Sequence, residues 1–310
     1  MKKIIFFIIV SAVIFSTMEV ALKIAASGLD PFQLTFIRFV IGGLFLLPFA
    51  IIRIKKNHTV ISGKDYLYML LLGIVCIPLS MVLFQMGVER SNASTAAVIF
   101  CINPVFTVVF AHFLTEEKFT INKVAALIVG IIGIVFMATP WDMAPGNSLA
   151  GAGLTTLAAL LFGLYSALGR KTVQRLGGLP QTSIGFLLGS VAMFFIMIAL
   201  DKPILSGMGS HNILLVLYAG IIVTGFGYLT YFMAMEHSDA GTASIVFFIK
   251  PGLAPLFAFI ILGETLTVSG IIGIALVFLS SYINLKGQRN GNGSTRRKYN
   301  ESPEEQTKAK

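Results

Sequence analysis

Two stretches of this chain are copies of one another. Glu89–Thr120 reads ERSNASTAAVIFCINPVFTVVFAHFLTEEKFT, and Glu236–Thr267 reads EHSDAGTASIVFFIKPGLAPLFAFIILGETLT. Laid together without a gap, Glu89 meets Glu236, Ser91 meets Ser238, Thr95 meets Thr242, Pro104 meets Pro251, Glu117 meets Glu264 and Thr120 meets Thr267. Two unrelated apolar runs would match at Leu, Ile and Val, but not at acids, prolines and turn residues in one register. The chain is therefore a duplication. Each copy carries a proline inside an apolar helix-length run, and proline removes an amide hydrogen and frees the carbonyl one turn earlier. A helix break is expected at Pro104 and at Pro251, beside Asn103 and Lys250.

The medium follows from composition. Charged residues are 12% of the chain and hydrophobic residues 56%, with mean hydropathy +0.86; soluble domains carry about 25% charge. There is too little polar surface here to coat a water-soluble core. Apolar runs near 4–26, 31–52, 66–88, 92–114 and 121–138 each approach the roughly 20 residues that cross a bilayer. The opening Met1-Lys2-Lys3 resembles a signal peptide, but its apolar run is too long for one and the duplication needs a first span there. The second half repeats the scheme near 150–170, 180–200, 212–235, 240–262 and 268–285. The expected fold class is an all-α integral membrane protein of ten transmembrane helices, built as two five-helix repeats at 1–138 and 150–285. A polar loop at 139–149 connects them, and a basic tail at 286–310, almost without apolar residues, is expected to be disordered.

Lys and Arg set the orientation. With the N-terminus inside, eighteen basic residues fall on the inner side and only Arg90 and Lys202 on the outer. That bias places both termini in the cytoplasm of a multi-pass cell-membrane protein. Five spans is an odd number, so the two copies are expected to be inverted relative to each other, the arrangement of alternating-access carriers. The net charge of +9 belongs to these loops and the tail, and no amphipathic basic face speaks for nucleic acid.

Few polar residues lie within the spans. Glu19, Arg38 and Lys250 sit at depths where a charge costs about 2.5–3.5 kcal/mol on insertion scales, so each should face the interior or a partner. With Asn103 at the first break and Tyr165 and Tyr228 on later spans, they form the candidate substrate pathway. Whether Glu19 and Lys250 pair is left open. Lys23, one turn from Glu19 near a span end, reads as a side chain reaching for the interface. Glu117 and Glu264 read as structural acids beside Thr120 and Thr267, the expected N-caps of spans five and ten. Ala159, Gly163, Ala167, Gly185 and Gly189 mark close helix approach. Cys76 and Cys101 lie in apolar runs with no ligand cluster around them, so neither metal nor other cofactor is expected, and no phosphate-binding glycine loop suggests ATP use.

These features together resemble the drug/metabolite transporter superfamily in its EamA branch. The likeness rests on the ten-span duplication, on FQLTFIRFVIGGLFLLP with Arg38, and on the paired endings LTEEKFT and LGETLT. It covers nearly everything up to Leu285. The second half departs at Leu187, where no arginine answers Arg38. The resemblance implies a carrier working without ATP, often an exporter of amino acids or other small metabolites. The expected function is export of an anionic or zwitterionic small solute, with a coupling proton or ion and a homodimer left open. Two alternatives stand beside it: a multidrug exporter of cations using Glu19, or a membrane protein that transports nothing. An enzyme is not expected, because no acids, His and Cys converge at one depth.

Overall fold

The computed structural model describes residues 2–114, 121–138, 144–237 and 245–300. Glu117, the Thr120 cap and residues 139–143 of the connecting loop lie outside them. Apart from the connections between them, the described residues form helices, with no strand. Seven helices are long and apolar enough to cross a membrane: Lys3–Ala25, Pro31–Lys56, Gly63–Glu89, Ala93–Leu114, Leu149–Leu176, Gly178–Ala199 and Asn212–Met235. Three shorter apolar helices are Val124–Met137, Ile249–Leu262 and Val268–Asn284.

Local chemistry sets the helix starts. Asp30 accepts the Phe32 amide at 2.8 Å with Pro31 at the first helical position. Ser62 and Asp65 form a capping box, and Asp65 also pairs with Arg175 from the other half. Large apolar side chains stay exposed along outward faces, as at Ile128, Ile131 and Val135 and at Val191, Phe195 and Ile198. The spacing of three or four residues makes each set one stripe. Water would penalise such stripes, whereas lipid solvates them.

The halves interlock, and the main contacts come in pairs related by exchanging the halves. Pro31–Lys56 packs on Gly178–Ala199, its counterpart. Ile121–Met137 packs on the last helix, Val268–Asn300. Val82–Glu89 lies against Leu149–Leu176 as Lys2–Ser16 lies against Gly227–His237 and Ile245–Leu262. Hydroxyls join the halves across these seams: Ser11 to Thr230 at 2.9 Å, Ser80 to the Ala158 carbonyl at 2.8 Å, Ser183 to the Gly43 carbonyl at 3.0 Å and Ser280 to the Ala126 carbonyl at 2.6 Å. Such bonds hold helices together where lipid offers no hydrophobic drive. A Cβ on Gly189 would lie 2.6 Å from the Gly73 backbone, and one on Gly163 would lie 2.7 Å from Phe106. The small residues are what lets these helices meet.

Two expectations need correction, and one feature was not expected. The helix does break before Pro104, with Ala93–Phe100 and Asn103–Leu114 as separate pieces. At Pro251 it does not: Ile245–Leu262 runs unbroken through Pro251 and Pro255. One missing amide removes a single hydrogen bond, which a packed helix can survive. The last helix continues to Asn300, past the expected end at Leu285, although its apolar part closes at Asn284. No proline interrupts 286–300, so the backbone ladder has no forced stop there. Finally, π-helical segments at Val75–Met81 and Tyr218–Phe226 interrupt corresponding helices of the two halves. Only the first contains a proline, Pro78.

Candidate functional site

Helices of both halves enclose a cavity of about 370 Å³, within the size range of small-molecule sites. Of the residues singled out from the sequence, Arg38, Asn103, Pro104, Tyr165, Tyr228 and Lys250 line it. Glu19 stands behind the wall, Pro251 is absent from it, and Glu264 lies at one end of the bundle.

Each polar group has a distinct local situation. Pro104 cannot donate to the carbonyl one turn back, that of Phe100, and the Asn103 side chain supplies the missing donor at 2.7 Å. Asn103 thus stabilises the break that aims it at the cavity. Lys250 is 4% exposed and Glu19 1% exposed, and Lys250 Nζ donates to Glu19 Oε1 at 2.6 Å. The structure therefore answers the pairing question: the two charges neutralise one another across the halves. Lys250 Nζ also lies 5.8 Å from the Phe100 ring centre. Arg38 is 1% exposed. None of its three guanidinium nitrogens has a hydrogen-bond partner among the described residues, although the guanidinium sits 4.7 Å from the Phe39 ring centre.

Sequence reasoning missed part of the lining. Gln181, Thr182, Ser281 and Asn284 contribute polar groups, and Val223 and Thr224 enter from the second π-helical segment. Polar side chains inside apolar runs were the available signal, but hydropathy does not reveal which face a helix turns inward. The Gln181 amide reaches the Tyr165 hydroxyl only at 3.5 Å. Tyr228 packs edge-on to Phe15 and Phe186, with ring centres 5.3 and 5.4 Å apart.

The ends of the bundle differ. The lining extends to Arg170, Val173 and Met235, toward the C-terminal ends of Leu149–Leu176 and Gly227–His237. At the opposite end two clamps correct the sequence reading. Glu264 does not serve its own helix: its carboxylate accepts the Ala93 and Ser94 amides at 2.6 and 3.0 Å and the Ser94 hydroxyl at 2.7 Å. It thereby caps a helix of the other half, whose own cap residue Asn92 makes no such bond. Thr267 caps the final helix instead, accepting the Gly270 amide at 3.2 Å. Lys23 does not reach away from the protein either. Its ammonium donates to the carbonyls of Val88, Glu89 and Ser91 at 3.0, 2.8 and 2.6 Å. Those carbonyls surround the C-terminal end of Val82–Glu89, where a cation completes unpaired acceptors and opposes the helix dipole.

Comparison with known proteins gives a consistent answer. The model of the EamA-like transporter family matches residues 2–139 and again 149–286. An "Uncharacterized transporter" of Clostridium kluyveri is 37% identical over 94% of this chain and 96% of its own length. One from Archaeoglobus fulgidus is 26% identical over 85% and 91%, and protein PagO of Salmonella typhimurium is 25% identical over 87% and 88%. A solved structure titled "Crystal structure of protein" shares the fold, with TM-score 0.62 at 20% identity, over 90% of this chain and 96% of that one. With two matched repeats spanning nearly all of its length, this multi-pass membrane chain belongs to the EamA-like transporter family.

Proposed function

We propose that the protein is a secondary carrier that exports a small anionic or zwitterionic metabolite by alternating access. In this reading ten helices form two inverted repeats, 1–138 and 150–285, with both termini in the cytoplasm. The exchange-related pairing of helices supports the inversion, and the charge bias supports the orientation. The observation that carries the reading is the cavity itself. It is shared by the two halves, walled largely by apolar and aromatic groups, furnished with a buried cation, and sealed at one end by Lys23 and Glu264. The clamped end would be the outer one, making this the inward-facing state. Proton coupling, where present, would act at Glu19, because protonation there releases Lys250.

The cation-exporter alternative loses ground because its acid, Glu19, is already held by Lys250. The test is untargeted metabolite profiling of deletion and overexpression cells, followed by flux of the affected metabolites in proteoliposomes. The proposal expects at least one anionic or zwitterionic metabolite to build up in deletion cells and to cross liposomes only when the protein is present. Equal flux through protein-free liposomes for every such metabolite would contradict it.

A further inference from the structure

We infer that Arg38, rather than Lys250, is the docking cation of the cavity, and that the solute it takes is a small organic monoanion with an apolar body, not a zwitterion. The inference rests on the carrier reading above and narrows its solute class.

Of the three cations that line the cavity, Arg170 is exposed at its end, and the two buried ones differ in what already holds them. Lys250 is bound to Glu19 at 2.6 Å, so the pair brings no net charge to the site. Arg38 is fully buried in the cavity wall and all three of its nitrogens are unpartnered among the described residues. A guanidinium stays charged under all ordinary conditions and presents a planar fork of donors that matches a carboxylate. Leaving that fork desolvated and unsatisfied is costly to the folded state, and an entering anion removes the cost. The ring of Phe39 faces the guanidinium but accepts none of its hydrogen bonds.

The rest of the wall sets the remainder of the solute. Phe100, Phe162, Tyr228 and Phe247 line the cavity and suit an apolar body, and neither Asp nor Glu is among its described lining residues. The ammonium of an amino acid would enter the field of Arg38 with no carboxylate to receive it. Glu19 Oε2 has no hydrogen-bond partner among the described residues, but Glu19 lies outside the wall and is 1% exposed. An ammonium could reach it only by displacing Lys250.

Three probes with one skeleton separate the possibilities: 3-phenylpropanoate, phenylalanine and phenethylamine. Equilibrium binding to the purified full-length protein in detergent should favour 3-phenylpropanoate over phenethylamine by about tenfold or more, the scale of a charge-assisted hydrogen bond, and over phenylalanine, whose ammonium Arg38 repels, by about as much. Arg38→Gln should reduce that ratio to near one, and Arg38→Lys should keep part of it. The double variant Glu19→Gln/Lys250→Met should retain it in full. Unliganded Arg38→Gln should also melt no lower than wild type, since it relieves an unsatisfied charge. Phenylalanine or phenethylamine binding as tightly as 3-phenylpropanoate overturns the inference, as does a preference that survives Arg38→Gln. Failure of 3-phenylpropanoate to bind at millimolar concentration overturns it too. The carrier reading is judged separately, by metabolite flux in proteoliposomes.

Discussion

Replacing Lys250 with methionine should destabilise the protein, and replacing Glu19 as well should rescue it. The geometry sets the size of the effect. Among the described residues, Lys250 Nζ is the one side chain hydrogen-bonded to the Glu19 carboxylate, through Oε1 at 2.6 Å, while Oε2 has no hydrogen-bond partner. Lys250→Met therefore leaves a buried carboxylate without its hydrogen-bonded counter-charge, a loss of about 3–5 kcal/mol. For a chain of this size that corresponds to a fall in Tm on the order of 10 °C. Glu19→Gln strands the ammonium and should cost a similar amount. The double variant removes both charges, and apolar or neutral replacement of a buried pair is commonly neutral or stabilising by about 1–4 kcal/mol. Its Tm should return to the wild-type value or exceed it. The assay is size-exclusion recovery of detergent-solubilised protein after graded heating. Single variants that melt within about 2 °C of wild type, or a double variant that adds the two losses, would refute the buried-pair argument.

Further outcomes follow from other contacts. Glu264→Ala removes three hydrogen bonds at a helix start and should cost about 1–3 kcal/mol, seen as a lower Tm; Glu264→Gln should recover part of it. Gly189→Leu drives a side chain into the Gly73 backbone, 2.6 Å from the first added carbon, and should cost at least about 1–3 kcal/mol by overpacking, with reduced folded yield as the readout. A reporter active only outside the cytoplasm should be active when fused after Asp142 and silent after Lys56 or Lys286; reversed activities would invert the orientation.

How much of this was legible from sequence depended on the range of each interaction. The family signature and the apolar runs are local or periodic, so they could be read directly. Asn103-Pro104 was readable as a break because the effect of proline reaches only one turn. Pro251 was misread, because whether a helix survives a missing amide depends on its neighbours. The Glu19–Lys250 pair joins residues 231 positions apart, and the Glu264 clamp joins residues about 170 apart. Hydropathy places a residue in depth but not in rotation about the helix axis. It could not show that Lys250 turns to Glu19 while Arg38 joins the cavity wall, nor bring Gln181 and Asn284 into the lining. The π-helical segments had a signal in one half alone, Pro78; the glycines of the other half, Gly220 and Gly225, are too common in such helices to have marked it.

Under the proposed alternating access, the cavity between the halves reaches the clamped end only when Glu264 lets go of the helix beginning at Ala93. The most direct measurement is flux through a cross-linked protein. Ser94→Cys and Glu264→Cys, in a background with Cys76 and Cys101 replaced, put one thiol on each side of this contact, and a short disulfide-containing bis-thiol reagent spans the gap that the missing carboxylate leaves. Cross-linking should abolish solute flux in proteoliposomes and reduction should restore it in the same sample. Full flux with the cross-link intact would contradict alternating access through this end of the bundle.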